Sequence, residues 1–169
     1  LRLGFMNLKL GNIPEAEARF SMLRKQFPED ENVPLTYYYW GDYYYNKGDI
    51  SRAADPFQFV LQKYPNSRFA REAAMGLARS FYRLGYFKQA YEIVEYIEKR
   101  WPRFYLDYPP FLNMMGDVAF RLNHLDTALR YYWLYVNIAP QGEEADVILT
   151  RIGDVYSMMR QKRAAEQAY

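Results

Sequence analysis

Asp42, Asp117 and Asp154 recur along the chain, each directly after a glycine: Gly41, Gly116 and Gly153. Carboxylates repeated in register are the material of a hard-cation site or of acid/base chemistry. A shared ion needs oxygens that converge on one point. Equivalent positions of packed helix pairs lie about 10 Å apart or more, too far for that. Salt bridges, for example to Arg79, Arg121 or Arg151, or the lining of a binding surface are the roles left to them. His124 is the single histidine and falls in a turn with Asp126 as its nearest acid. An imidazole so placed reads as a solvated or capping residue rather than a base. The chain has no Gly-rich phosphate loop, nucleophile elbow or zinc motif. It has no cysteine, hence no disulfide or thiolate ligand. The expectation is therefore no catalytic, cofactor-binding or metal-binding residues.

With 169 residues, half of them apolar, the chain can bury one sizeable core. Its 22 basic and 20 acidic residues nearly cancel and form no like-charge block, which argues against binding nucleic acid through its phosphates. The uncharged apolar runs are too short to span a bilayer. No signal peptide is present, and the first residue is not Met, so the question of a targeting segment stays open. The unusual quantity is aromatic: 18 Tyr, 11 Phe and 3 Trp.

The elements that place these residues follow from a ladder. Ala16, Ala53, Ala90, Ala128 and Ala165 are 37, 37, 38 and 37 residues apart. Five residues before each stands Gly11, Gly48, Gly85, Asn123 or Arg160, and four residues after stands Phe20, Phe57, Val94, Tyr132 or Tyr169. Twelve after the first four comes Pro28, Pro65, Pro102 or Pro140. Seven before the turn position stands Gly4, Gly41, Ala78, Gly116 or Gly153. A fixed period in this range marks one supersecondary unit copied along a solenoid.

Each copy reads as two helices. In the second, Leu35 to Asn46 forms one run, Lys47-Gly48-Asp49 interrupts it, and Ile50 to Tyr64 forms another that stops at Pro65. Glycine suits the break because it takes positive φ without steric cost. Asp49 or Ser51 can cap the second helix. Gly41 and Ala53 mark the close approach of the pair. Trp40, Tyr44, Phe57, Phe81, Tyr132 and Tyr156 are expected in the core by register.

These residues resemble the tetratricopeptide repeat, with Gly41, Tyr44, Gly48, Ala53, Phe57 and Pro65 of the second copy all in place. Ala78, Ala119, Asn123 and Arg160 depart from the pattern, and Asn123 is the mild change because Asn tolerates the left-handed region. The resemblance implies an all-α fold, a right-handed α-solenoid of stacked helix-turn-helix repeats. It divides the chain into one solenoid segment: a partial repeat over 1–33, repeats over 34–70, 71–108 and 109–145, and a partial repeat over 146–169. The period exceeds the common one of about 34 residues by about three, roughly one helical turn. The expectation is that some first helices start a turn early, with Ser67 as an N-cap. The stretch around Tyr64-Pro65-Asn66-Ser67 is similar to repeats of periplasmic envelope proteins, the lipoprotein arm of the β-barrel assembly machinery and the Tol–Pal-associated coordinator. That likeness favours a periplasmic or envelope-associated location over a cytoplasmic one. Neither end carries a polar capping helix, as expected of a segment from a longer solenoid.

In such solenoids the first helices line a concave groove. By register the groove positions are Tyr38, Tyr39, Asp42 and Tyr45, then Met75, Arg79, Tyr82 and Arg83. They continue with Asn113, Met114, Asp117, Phe120 and Arg121, and end with Arg151 and Asp154. Aromatics, Met and Arg are enriched at protein interfaces. The resemblance thus implies a non-catalytic scaffold that binds an extended or helical segment of a protein or peptide partner. A grip on a C-terminal carboxylate is disfavoured, because Asp42 and Glu72 would repel it. The alternatives are a self-associating structural solenoid, a homo-oligomer, and a polysaccharide-binding or export accessory protein whose exposed aromatic faces stack on sugars.

Overall fold

A computed structural model describes residues 1–168, with side chains described through Arg160. Every regular element among them is helical. The chain divides into two compact units, Leu1–Tyr86 and Phe87–Tyr169.

The first unit holds α1 (Arg2–Leu10), α2 (Ile13–Gln26), α3 (Val33–Asn46), α4 (Ile50–Lys63) and α5 (Ala70–Arg83). The turn residues act as their chemistry dictates. Gly11, Gly48 and Gly85 sit at φ 79°, 83° and 79°. The next residue reaches back five positions, as when the Asp49 N–H donates to the Tyr44 carbonyl at 2.9 Å. This closes each first helix and starts the descent of the chain. The Asp49 carboxylate then caps α4 by accepting from the Arg52 N–H. Ala16 and Ala53 are fully buried where the paired helices touch. Beside them lie Phe20 and Phe57, which close over Gly4 and Gly41. Phe20 also meets Trp40 edge-on at 6.1 Å, and the Trp40 indole N–H donates to Glu17 at 3.0 Å.

The second unit holds α6 (Phe87–Arg100), α7 (Phe104–Asp107), α8 (Pro110–Arg121), α9 (Leu125–Ile138) and α10 (Ala145–Ala168). Tyr132 of α9 closes over Gly116 of α8, as the phenylalanines do in the first unit. Asn123 takes the turn glycine's place at φ 60°.

Three expectations need correction. The extra residues of the long period do not extend the first helices. They form a second tight turn in the connection: Ser67 N–H donates to the Tyr64 carbonyl at 3.0 Å, and Ala70 N–H to the Ser67 carbonyl at 3.1 Å. The same pair recurs at Phe27, Asp30 and Val33 and at Ala139, Gly142 and Ala145. Ser67 therefore caps nothing; α5 begins at Ala70, and the Ser67 hydroxyl is buried without a partner. Second, no turn forms at Arg160, and α10 runs unbroken from Ala145 to Ala168. The other turn positions take positive φ, where the β-carbon of arginine is penalised, so the helix simply continues. Third, Tyr156 is 51% exposed rather than in the core. With α10 not doubling back, nothing lies within 4 Å of a β-carbon placed on Gly153, so this side of α10 stays uncovered. Tyr44 and Phe81 are half-buried, whereas Trp40, Phe57 and Tyr132 are buried. Ala165 and Tyr169, the fifth rung, lie outside the described side chains.

Candidate binding faces on the first helices

In the first unit α3 and α5 bring Tyr38, Asp42, Tyr45, Arg79 and Arg83 together. The Arg79 and Arg83 guanidinium carbons lie 5.1 and 5.0 Å from the Tyr45 ring centre, so one phenol carries two cations. Arg79 Nε is buried without a hydrogen-bond partner, and so is Oε2 of Glu72, whose other oxygen accepts from Arg71 at 3.0 Å. Burial raises the Tyr38 phenol above its ordinary pKa, and the Asp42 and Glu72 charges push the same way while Arg79 opposes them. Tyr38 also packs on Phe57 at 5.6 Å, so it is part wall and part core. Tyr82 is half-buried and Arg83 exposed.

Tyr39 turns the other way. It stacks on Phe5 of α1 at 4.4 Å and helps enclose a cleft of about 290 Å³. Phe5, Leu8, Lys9, Asp42, Tyr43, Asn46 and Lys47 complete its lining. The residues from the first repeat were absent from the expected groove, although the register carries them. Phe5 follows Gly4 as Asp42 follows Gly41, and Lys9 stands where Asn46 stands.

In the second unit Asp117 is the hub of a polar network joining α8, α9 and α10. It accepts from the Tyr132 hydroxyl at 2.7 Å and pairs with Arg151 at 2.7 Å. Arg151 also donates to the side-chain Oδ1 of Asn113, and the Asn113 side-chain amide donates to Glu144 at 2.9 Å. Burial raises the Asp117 carboxyl above its ordinary pKa, with Tyr132 and Arg151 working against that shift. Of the salt bridges expected for these aspartates, the one to Arg151 forms. Phe120 is half-buried, and Arg121 lies over the Phe87 ring at 5.5 Å.

Two expected groove residues do not reach the surface. Met75 and Met114 are only 6% and 9% exposed, because their flexible side chains fold into the packing between helices. Asp154 is exposed and makes no ion pair or hydrogen bond among the described residues. His124 stands at the N-cap of α9, but its side chain makes no capping hydrogen bond; its ring meets the Tyr91 ring edge-on at 5.4 Å. Among the described residues no group of three or more acidic or histidine side chains could hold a metal ion, and no helix is long and apolar enough to cross a membrane.

Residues 1–30 and 36–67 match the tetratricopeptide repeat family. No curated protein matches the chain. Among solved structures it is similar to MamA 41-end from Desulfovibrio magneticus RS-1, at 17% identity over 99% of this chain and 93% of that one, with a TM-score of 0.68. MamA AMB-1 gives 15% identity, 96% and 81% coverage and a TM-score of 0.67. A thermophilic TPR protein of Thermus thermophilus gives 22% identity, 94% and 80% coverage and a TM-score of 0.58. The chain therefore has an α-solenoid fold of helix-turn-helix repeats, with a tetratricopeptide-repeat match across its first two repeats.

Proposed function

We propose that this protein is a non-catalytic interaction scaffold. It holds an extended or helical segment of a partner protein along its first helices and works in assembly of the bacterial cell envelope. The observation that carries the binding role is the α3–α5 face. Arg79 and Arg83 share the Tyr45 ring and, among the described residues, have no carboxylate partner, and Asp42 beside them has no hydrogen bond or ion pair there. Charge left without an opposite partner, half-buried at Arg79 and Asp42 and exposed at Arg83, is available to another chain. The repeat match and the similar solved folds support a scaffold in general; the envelope role rests on the long period and its likeness to envelope repeats. Affinity capture with the wild type and with Tyr38, Tyr82 and Arg83 replaced by Ala tests it. Loss of specific partners from the triple variant is expected, and an unchanged partner set would overturn the groove.

Self-association is the second reading, favoured by α1. Leu3 and Met6 are 64% and 54% exposed, while their register equivalents Leu77 and Val118 are at most 2% exposed. Sedimentation of the wild type and of Leu3→Glu at several concentrations separates a monomer from an assembly closed through this stripe.

A further inference from the structure

The cleft between α1 and α3 has an apolar floor and a rim whose charges form no ion pair among the described residues. Its floor is the Phe5–Tyr39 stack at 4.4 Å, with Leu8 buried at its base. At about 290 Å³ it has room for one bulky side chain. Its rim carries Lys9, Lys47, Asp42 and Asn46.

Four arginines of this unit find carboxylates: Arg24 pairs with Glu17, Arg52 with Asp49, Arg68 with Glu31 and Arg71 with Glu72. Lys9 and Lys47 do not. Their ammonium groups lie 5.0 Å over Phe5 and 5.7 Å over Tyr43, rings of the cleft itself. A ring holds an exposed ammonium group weakly, and an incoming carboxylate would replace that contact with a charge-assisted hydrogen bond. Two ammonium groups stand against one carboxylate here, so the rim favours an anion. Asp42 and Asn46, one turn apart on α3, offer acceptors for the backbone N–H groups of an extended chain. Glu72, which with Asp42 disfavours a carboxylate along α5, is not part of this cleft.

We propose that this cleft is the anchor site for an aromatic side chain of the partner segment, with acidic neighbours reaching Lys9 and Lys47. The ring packs edge-on against the Phe5–Tyr39 stack, and the charges fix its register. A flat apolar floor inside a polar rim is how interface anchors are built. This rests on the scaffold reading and adds the chemistry of the partner.

The test is fluorescence anisotropy of the full chain with three short synthetic peptides. One carries glutamates around a central tryptophan, the second replaces the tryptophan with alanine, and the third replaces the glutamates with lysines. The first peptide is expected to bind about tenfold more tightly than either other. Lys9→Glu/Lys47→Glu should reverse the preference between the glutamate and lysine peptides. Lys25→Glu/Lys63→Glu, on α2 and α4, should leave it unchanged. All four lysines are exposed, so the fold survives these changes. Equal binding of the three peptides, equal effects of the two double variants, or binding of chito-oligosaccharides with no peptide bound would overturn the proposal. If no peptide binds while partner capture still depends on Tyr38, Tyr82 and Arg83, the anchor is refuted and the scaffold stands. If capture is also indifferent to those residues, both fall.

Discussion

The ring of Phe57 occupies the place where Gly76 would carry a β-carbon: Cζ lies 2.5 Å from that position. Gly41 faces the same ring across the helix pair, with Cε1 at 2.6 Å. One side chain from α4 thus fills the gap to α3 of its own repeat and to α5 of the next, and glycine on both sides lets the backbones close on it. The ladder glycine Gly41 sets the pairing within a repeat, and Gly76, outside the ladder, sets the stacking between repeats.

Gly76→Ala should therefore overpack this contact and cost about 1–3 kcal/mol, as should Gly41→Ala. Gly153→Ala is the control. Nothing lies within 4 Å of its β-carbon position, and alanine favours a helix interior, so it should be neutral or stabilising by up to about 1 kcal/mol. Urea denaturation of the three variants checks the order. Equal stabilisation at all three positions would show that helix propensity, not the Phe57 ring, governs these sites.

The turns make a separate prediction. Gly48 sits at φ 83° with open space around it, so Gly48→Ala meets no clash and adds only backbone strain, about 1–2 kcal/mol. Asn123→Gly relieves a milder version of that strain at φ 60° and should be neutral or slightly stabilising. Thermal denaturation reads both; stabilisation by Gly48→Ala would mean that this turn does not hold its left-handed conformation in solution.

The repeat was legible in the residues because its determinants are local and steric. An alanine with a glycine five residues earlier states a close approach and a left-handed turn whatever surrounds them. The binding face was legible only in part, because register specifies a direction and side-chain length decides the rest. Tyr38, Met75 and Asn113 are register equivalents, yet a rigid phenol and a short amide stay partly exposed while the flexible thioether folds inward. Tyr39, Gly76 and Met114 form another such set. There the stacking of neighbouring repeats takes the position, leaving Tyr39 on Phe5 and Met114 nearly buried. The fate of Arg160 turned on competition between a turn and a continued helix, in which a missing glycine outweighed the period.

Asp117 makes stability depend on pH with a definite sign. Burial raises its carboxyl above the ordinary value of 3.8, so the folded protein holds this proton more tightly than the unfolded chain does. The stability this contributes is present below about pH 3.8 and is lost as pH rises through the higher folded value. Asp117→Asn keeps an oxygen for the Tyr132 hydroxyl at 2.7 Å and cannot ionise. Its stability measured against the wild type should therefore improve as pH rises from about 3.8 through the higher folded value, then level off. Denaturant titrations of both proteins across that range read the slope. If the wild type gains on the variant instead, the pairing with Arg151 outweighs burial, and Asp117 is held below its ordinary pKa.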